Sequence, residues 1–147
     1  DGNWDISLNQ FYDDITAKIK TVKLCKKTAG CFESAPVKYI NGRGAGNWNA
    51  DTGLYKFIMN TGSFAKVISF SPNSSHGYID NPKFVIVIDI NGKKRPNQYG
   101  KDIFEFGIRD GILIPDGIDT QSQKCKNKLG TGYDCTWMVL VENKFPN

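Results

Sequence analysis

Three polar residues flank a turn next to the most apolar part of the sequence. Asp89 and Asn91 end a strongly apolar run, and Asp102 lies beyond a basic loop. Carboxylate and amide oxygens are the ligands that calcium takes, six to eight at a time. The order is not that of an EF-hand, since Lys93 and Gly100 stand where that loop needs an oxygen ligand and a glutamate. Two interpretations stay open: a calcium site, or a structural loop in which Asp89 and Asn91 accept backbone N–H groups in a turn and Asp102 holds the end of the loop.

No other group of residues has the pattern of a catalytic site. The single histidine, His76, has no neighbouring serine, cysteine or metal ligand in the sequence. Asp110, Asp116 and Asp119 could supply paired carboxylates for glycoside hydrolysis, but their context is that of acids in loops. We therefore predict that the protein is not an enzyme, and that calcium is the one cofactor to consider.

The four cysteines form two local pairs. Cys25 and Cys31 bracket one polar segment, and Cys125 and Cys135 bracket another. Four cysteines allow three pairings, among which sequence cannot choose, although the local pairing is the simplest. Free buried thiols are the alternative, and zinc is the poorest fit because there is no C-x-x-C spacing. Two disulfides predict a location outside the cytosol.

The positive charge is grouped. The net charge is +4, and basic residues cluster in three places: Lys18, Lys20, Lys23, Lys26 and Lys27; Lys93, Lys94 and Arg95; Lys124, Lys126 and Lys128. Such clusters could hold a nucleic-acid backbone. The alternative that we favour is a solvated helix face and two exposed loops.

The spacing of apolar residues predicts one helix and several strands. The helix is amphipathic, begins with a capping box of Ser7 and Gln10, ends near Lys23, and has the apolar stripe Leu8, Phe11, Ile15, Ile19 and Val22. Strands are predicted at 55–60 and 64–70, joined by a turn at 61–63, and at 84–90, 102–108, 112–115 and 137–141. Asn91-Gly92 and Asp110-Gly111 are predicted turns.

The central loop is part of a longer pattern, D-x-N-G-x-K-x-P-N-x-x-G-x-D-x-F. Its residues are Asp89, Asn91, Gly92, Lys94, Pro96, Asn97, Gly100, Asp102 and Phe104. The pattern resembles the C-terminal half of bacterial type IV pilin-like proteins, and the tail at 132–143, GYDCTWMVLVEN, is similar to the closing segment of the same group. The chain departs from the family at Arg95, where glycine is more usual, and by lacking the apolar N-terminal helix.

We predict one domain over 1–147, of the α+β class. In it an N-terminal helix packs on an antiparallel sheet of about four strands, with long loops pinned by disulfides. The resemblance implies the head of a subunit of a type IV pilus or a related secretion pseudopilus, which acts by filament assembly and surface presentation. Its partners would be other pilin subunits and the inner membrane, reached through an apolar helix with a methylated N-terminus upstream of Asp1.

The resemblance also implies an extracellular position at the cell surface, after membrane anchoring of the full-length protein. Two alternatives are kept. One is a minor pilin that binds DNA or a host ligand, as in adhesion. The other is a small secreted enzyme.

Overall fold

A six-stranded antiparallel sheet is the centre of the molecule. The computed structural model describes residues 2–32, 36–48, 54–71, 75–76, 79–126 and 130–146. The sheet contains β1 (Thr21–Lys26), β4 (Tyr55–Met59), β5 (Phe64–Ser69), β8 (Phe84–Asp89), β9 (Ile103–Arg109) and β10 (Ile112–Pro115), and these strands are hydrogen-bonded in that order. Strands β1 and β10 are therefore its two edges.

Smaller elements lie around this sheet. The hairpins are β2 (Val37–Lys38) with β3 (Gly44–Gly46), and β6 (Ser75–His76) with β7 (Ile79–Asp80). The helices are α1 (Gly2–Lys18), α2 (Gln123–Lys126) and α3 (Cys135–Val141). Among the described residues, no helix combines the length and the apolar content needed to cross a bilayer.

The predicted fold class is wrong. The protein is mostly antiparallel β-sheet, with a sheet of six strands instead of about four. Its described helices are few and, apart from the 17 residues of α1, short. Five of its strands, β4, β5, β8, β9 and β10, lie at predicted strand positions, and the sixth is present because β1 adds to the edge of β4, a pairing that joins residues far apart in sequence. Local periodicity does not report such a pairing.

The predicted hairpins are confirmed. Strands β4 and β5 pair across the turn at 61–63, with Ile58 opposite Phe64. Strands β9 and β10 pair across Asp110-Gly111, and both residues have the positive φ that this turn requires. Both signals are local, since each consists of two β-branched or aromatic runs separated by turn residues.

The predicted limits of the first helix are wrong at both ends. Helix α1 begins at Gly2, so Ser7 is not its N-cap, and it ends at Lys18. Ile19 is partly buried, but Val22 is 67% exposed and belongs to β1. The helical spacing of Val22 is therefore a coincidence, and pairing with β4 decides the conformation of that segment.

The predicted last strand at 137–141 is also wrong, because these residues belong to α3. An apolar run of five residues fits either a strand or a buried helix turn. The segment follows the bonded Cys135, and two of its N–H groups are used by contacts with an earlier part of the chain: the Trp137 N–H donates to the Asp116 carbonyl and the Met138 N–H to Ser122 Oγ.

The sheet buries apolar side chains on both faces. On one face, Leu8 and Tyr12 of α1 pack against a cluster that includes Phe57, Val67 and Ile86. The Tyr12 hydroxyl donates a hydrogen bond of 2.7 Å to the carbonyl of Lys56, which fixes α1 to β4. The other face is covered by loops and the β2–β3 hairpin, in a cluster of Phe32, Val37, Trp48, Phe64, Val85, Val87, Tyr99 and Ile103.

Candidate functional site

The loop between β8 and β9 is held by a carboxylate at each end. Asp89 Oδ1 accepts hydrogen bonds from the backbone N–H groups of Asn91 (3.2 Å) and Gly92 (3.0 Å). The Asp102 carboxylate accepts from the backbone N–H groups of Asn97 (2.8 Å) and Gln98 (2.6 Å). Both side chains are buried, so these bonds satisfy backbone donors that water cannot reach.

Asn97 links the two ends of the loop. Three acceptors surround its side-chain nitrogen and assign the orientation of the amide: Asp89 Oδ2 at 3.1 Å and the carbonyls of Gly92 at 3.2 Å and Lys94 at 2.8 Å share its two hydrogens. Burial raises the pKa of Asp89 to about 7, and the nearby Asp102 carboxylate contributes to the increase. The loop thus has a buried polar centre whose charge can change near neutral pH.

The glycines of the motif allow close contacts with other segments. A Cβ at Gly92 would lie 2.2 Å from the carbonyl oxygen of Gly62, and one at Gly100 would lie 2.7 Å from Cys135 Sγ. Both glycines have positive φ. Pro96 follows a cis peptide bond and is exposed, whereas Phe104 is buried and its ring lies 6.5 Å from that of Phe145.

The structure brings Asp89, Asn91 and Asp102 into one loop, as the sequence predicts. Asp89 accepts hydrogen bonds from backbone N–H groups, as the structural interpretation of the loop expects, and Asp102 does so at the end of the loop. Asn91 does not, because its Oδ1 has no hydrogen-bond partner among the described residues. No group of three or more histidines, cysteines or acids among the described residues could hold a metal. Calcium at this loop stays a prediction.

The candidate catalytic residues occupy different positions. Asp110 is exposed in the β9–β10 turn, and Asp119 pairs with Arg109 at 3.3 Å. Asp116 is fully buried beside α3. His76 lies 3.2 Å from a carboxylate that sequence analysis did not single out, that of Glu105.

Glu105 is the main polar residue that the sequence analysis missed. It lies in the middle of β9 and is 1% exposed. Its Oε2 faces His76 Nε2, and it also interacts with the hydroxyl of Tyr99, whose pKa is raised mainly by burial and further by Glu105. The rings of His76 and Tyr133 lie 5.5 Å apart. Alternation along β9 places Glu105 on the same face of the sheet as Ile103. The sequence alone does not show that this face is buried, and without that knowledge the cluster could not be predicted.

The predicted local disulfide pairing is confirmed. Cys25 is bonded to Cys31, and Cys125 is bonded to Cys135. The second disulfide is fully buried and joins α2 to α3. Next to it, Asp134 Oδ2 accepts from the backbone N–H groups of Lys124 and Cys125.

Folding brings two of the basic clusters together. Lys23 of β1, with Lys93 and Lys94 of the β8–β9 loop, lines a cavity of about 690 Å³, which we call the lysine cavity. Its other walls include Phe32, Ile58, Thr61, Phe64, Ile90 and Asn91. In the third cluster Lys126 pairs with Glu142, and Lys128 lies outside the described residues. This convergence is not visible in the sequence, because about 70 residues separate Lys23 from Lys93.

Comparison with known proteins found no matching family model, no similar curated protein and no similar solved structure.

Proposed function

We propose that this chain is the head of a type IV pilin-like subunit, a structural protein that acts by assembling into a filament and presenting its head at the cell surface. The resemblance in the loop pattern and in the closing segment supports the choice of family. The loop residues that make up the pattern are the ones that hold the β8–β9 loop closed. Their role in the head would be structural.

One observation carries the assembly part of the proposal: both edges of the sheet expose apolar side chains. On β1, Val22 is 67% and Leu24 is 56% exposed, and on β10, Ile112 is 65% and Leu113 is 55% exposed. Exposed apolar edge strands are templates for pairing with another chain, and monomeric proteins usually protect them. Edges of this kind suit a subunit whose neighbours cover them.

The partners in this proposal are other copies of the subunit and, before assembly, the inner membrane. An apolar helix upstream of Asp1, with a methylated N-terminus as in the family, would anchor the full-length protein and later pack in the filament core. The two disulfides agree with folding outside the cytosol. Catalysis has no place in this mechanism.

The test uses the full-length gene in the bacterium that encodes it. A deletion strain is complemented with the wild type, with Leu24→Lys or with Leu113→Lys, and filaments sheared from the surface are probed with antibodies against the head. We expect the wild type in the filament fraction and a loss of both edge variants from it, because a lysine on an edge strand opposes pairing.

Ile90→Lys is the matched control, since Ile90 is 52% exposed but follows β8, an interior strand of the sheet. It should assemble like the wild type. The upstream coding sequence tests the family separately: a short basic leader followed by about 20 apolar residues containing a glutamate is expected. A plain secretory signal joined directly to Asp1, with the protein absent from sheared filaments, would contradict the proposal.

A further inference from the structure

The lysine cavity has the size and the lining of a binding site. Ligand pockets in proteins typically enclose about 300–1,000 Å³ and combine apolar walls with a few polar groups. This cavity measures about 690 Å³ and is formed by four segments: β1, residues 30–32, the β4–β5 hairpin and the β8–β9 loop. No acidic residue is present in its described lining.

The charge of the cavity comes from lysines on two sides. Lys23 belongs to β1, and Lys93 and Lys94 belong to the β8–β9 loop. All three side chains are exposed, and the ammonium groups of Lys23 and Lys94 can reach a molecule in the cavity from two sides. Positive charges on two sides of one concave surface attract an anion more strongly than a single surface lysine does.

The walls between the lysines are apolar. Phe32 and Phe64 stack at 4.5 Å with their ring planes 5° apart and form one wall, and Ile58 and the exposed Ile90 line the cavity as well. The Cys25–Cys31 disulfide holds the chain next to Phe32. An inorganic ion would leave these walls in contact with water, whereas a ligand with an apolar body would cover them.

Asn91 adds a polar side chain to the wall of the cavity. Its Oδ1 is buried and has no hydrogen-bond partner among the described residues. An unpaired buried polar atom is unfavourable, so such atoms usually have a partner. Asn91 lines the cavity, but its Oδ1 is shielded from solvent, so a bound molecule reaches that oxygen only if the side chain turns toward the cavity.

We propose that the lysine cavity binds a small organic anion, in which a carboxylate or phosphate group pairs with Lys23 and Lys94 and an apolar body contacts Ile58 and Ile90. Carboxylate and phosphate share the chemistry that lysine recognises. This proposal does not depend on filament assembly, so the isolated head is sufficient to test it.

The experiment is a titration of the ¹⁵N-labelled head, with both disulfides intact, followed by amide chemical shifts. The probes are benzoate and phenyl phosphate, compared with acetate and inorganic phosphate, which lack the apolar body, and with benzyl alcohol, which lacks the charge. We expect saturable shifts at the amides of Gly62 and Asn91 with the first two probes and Kd values at least about tenfold weaker with the other three. The better of benzoate and phenyl phosphate identifies the preferred anion.

Lys23→Glu and Lys94→Glu should each weaken binding by about tenfold or more, while Lys101→Glu, an exposed lysine outside the cavity, should leave Kd within about twofold. Equal weakening by all three variants would show a general effect of net charge and overturn the proposal, as would shifts that do not saturate.

Duplex DNA is titrated in the same way as a further ligand. If DNA binds more tightly than every probe, with a steep salt dependence and equal losses in all three variants, an extended nucleic-acid surface replaces the cavity.

Discussion

Two glycines in turns of the sheet share a positive φ but differ in what surrounds them. Gly92 has φ of 64°, and a Cβ there would lie 2.2 Å from the Gly62 carbonyl oxygen. Gly111 has φ of 75°, and a Cβ there would meet nothing within 4 Å. Gly111→Ala should therefore lower the free energy of unfolding by about 1–2 kcal/mol, the cost of the backbone conformation alone. Gly92→Ala should lower it by more than about 3 kcal/mol, because the backbone of the 61–63 turn must also move.

Urea unfolding of both variants measures the two losses on the same scale. Equal losses would mean that the contact between the two turns, which joins the β4–β5 hairpin to the β8–β9 loop, is not required for stability. The glycine of the loop pattern would then be explained by its backbone conformation alone.

The pKa of Asp89 predicts a pH dependence of stability. Burial, with the Asp102 carboxylate, raises this pKa from 3.8 to about 7. Between these values the folded protein keeps a proton that the unfolded chain has lost, so the free energy of unfolding falls as the pH rises. The stabilisation by the protonated form is complete below about pH 4 and is lost by about pH 7, with a total of up to about 4 kcal/mol.

Asp89→Asn removes this titration but keeps an oxygen that can accept from the Asn91 and Gly92 N–H groups. Its amide hydrogens face the Asn97 amide, which lowers stability by the same amount at every pH. The difference in unfolding free energy between the wild type and Asp89→Asn, measured at intervals from pH 4 to pH 8, should therefore change in favour of the variant as the pH rises. A constant difference would show that the Asp89 carboxyl does not titrate in this range.

Single residues also show where sequence reasoning succeeds. The functions of Asp89 and Asp102 in the loop follow from their types, since a side-chain carboxylate next to turn residues accepts local N–H groups. Glu105 could not be predicted in this way, because a glutamate in an alternating strand normally faces solvent. Glu105 interacts with Tyr99 of the loop just before β9 and with His76 and Tyr133, which come from segments far from it in sequence.

At the level of elements, the C-terminal region depends on one disulfide. Cys125 and Cys135 are fully buried, close a loop with a sequence separation of 10, and hold α2 against α3. Loss of the loop constraint alone costs about 3 kcal/mol, and α3 would also lose part of its packing. Replacement of both cysteines by alanine should therefore lower the free energy of unfolding by more than about 3 kcal/mol.

The Cys25–Cys31 disulfide provides the matched comparison. It closes a shorter loop, with a sequence separation of 6, so its double alanine variant should lose about 2 kcal/mol. Denaturant unfolding and near-UV circular dichroism of both variants measure the difference. If the variant without Cys25 and Cys31 loses as much stability as the variant without Cys125 and Cys135, the C-terminal helices are held by packing and not by their disulfide.

Elements were predictable where their signals are local. The hairpins β4–β5 and β9–β10 follow from runs and turns that are adjacent in sequence. The predictions for the end of α1 and for residues 137–141 were wrong. The end of α1 depends on β1 joining β4, and the conformation of 137–141 depends on the contacts of α3 with Asp116 and Ser122. In both places tertiary contacts override a periodicity that fits the other conformation.

At the level of the whole molecule, the strand order limits how copies would associate in the filament that we propose. Strands β1 and β10 lie at opposite edges, and both expose apolar side chains. A contact between the β1 edge of one copy and the β10 edge of the next uses two different surfaces. The two copies together therefore still have one free β1 edge and one free β10 edge. Such a heterologous contact forms an open chain unless its rotation closes a ring.

The isolated head tests this geometry at high concentration. In sedimentation equilibrium, the mean mass of the wild type should rise with concentration beyond that of a dimer, because an open contact has no fixed stoichiometry. Leu24→Lys and Leu113→Lys should each be monomeric, since each blocks one of the two edges. A mixture of the two variants should form dimers and nothing larger, because the β10 edge of the first and the β1 edge of the second can form one contact. A wild-type mass that stops at the dimer would instead indicate a symmetric contact of one edge with itself, and in that case one of the two variants would still dimerise alone.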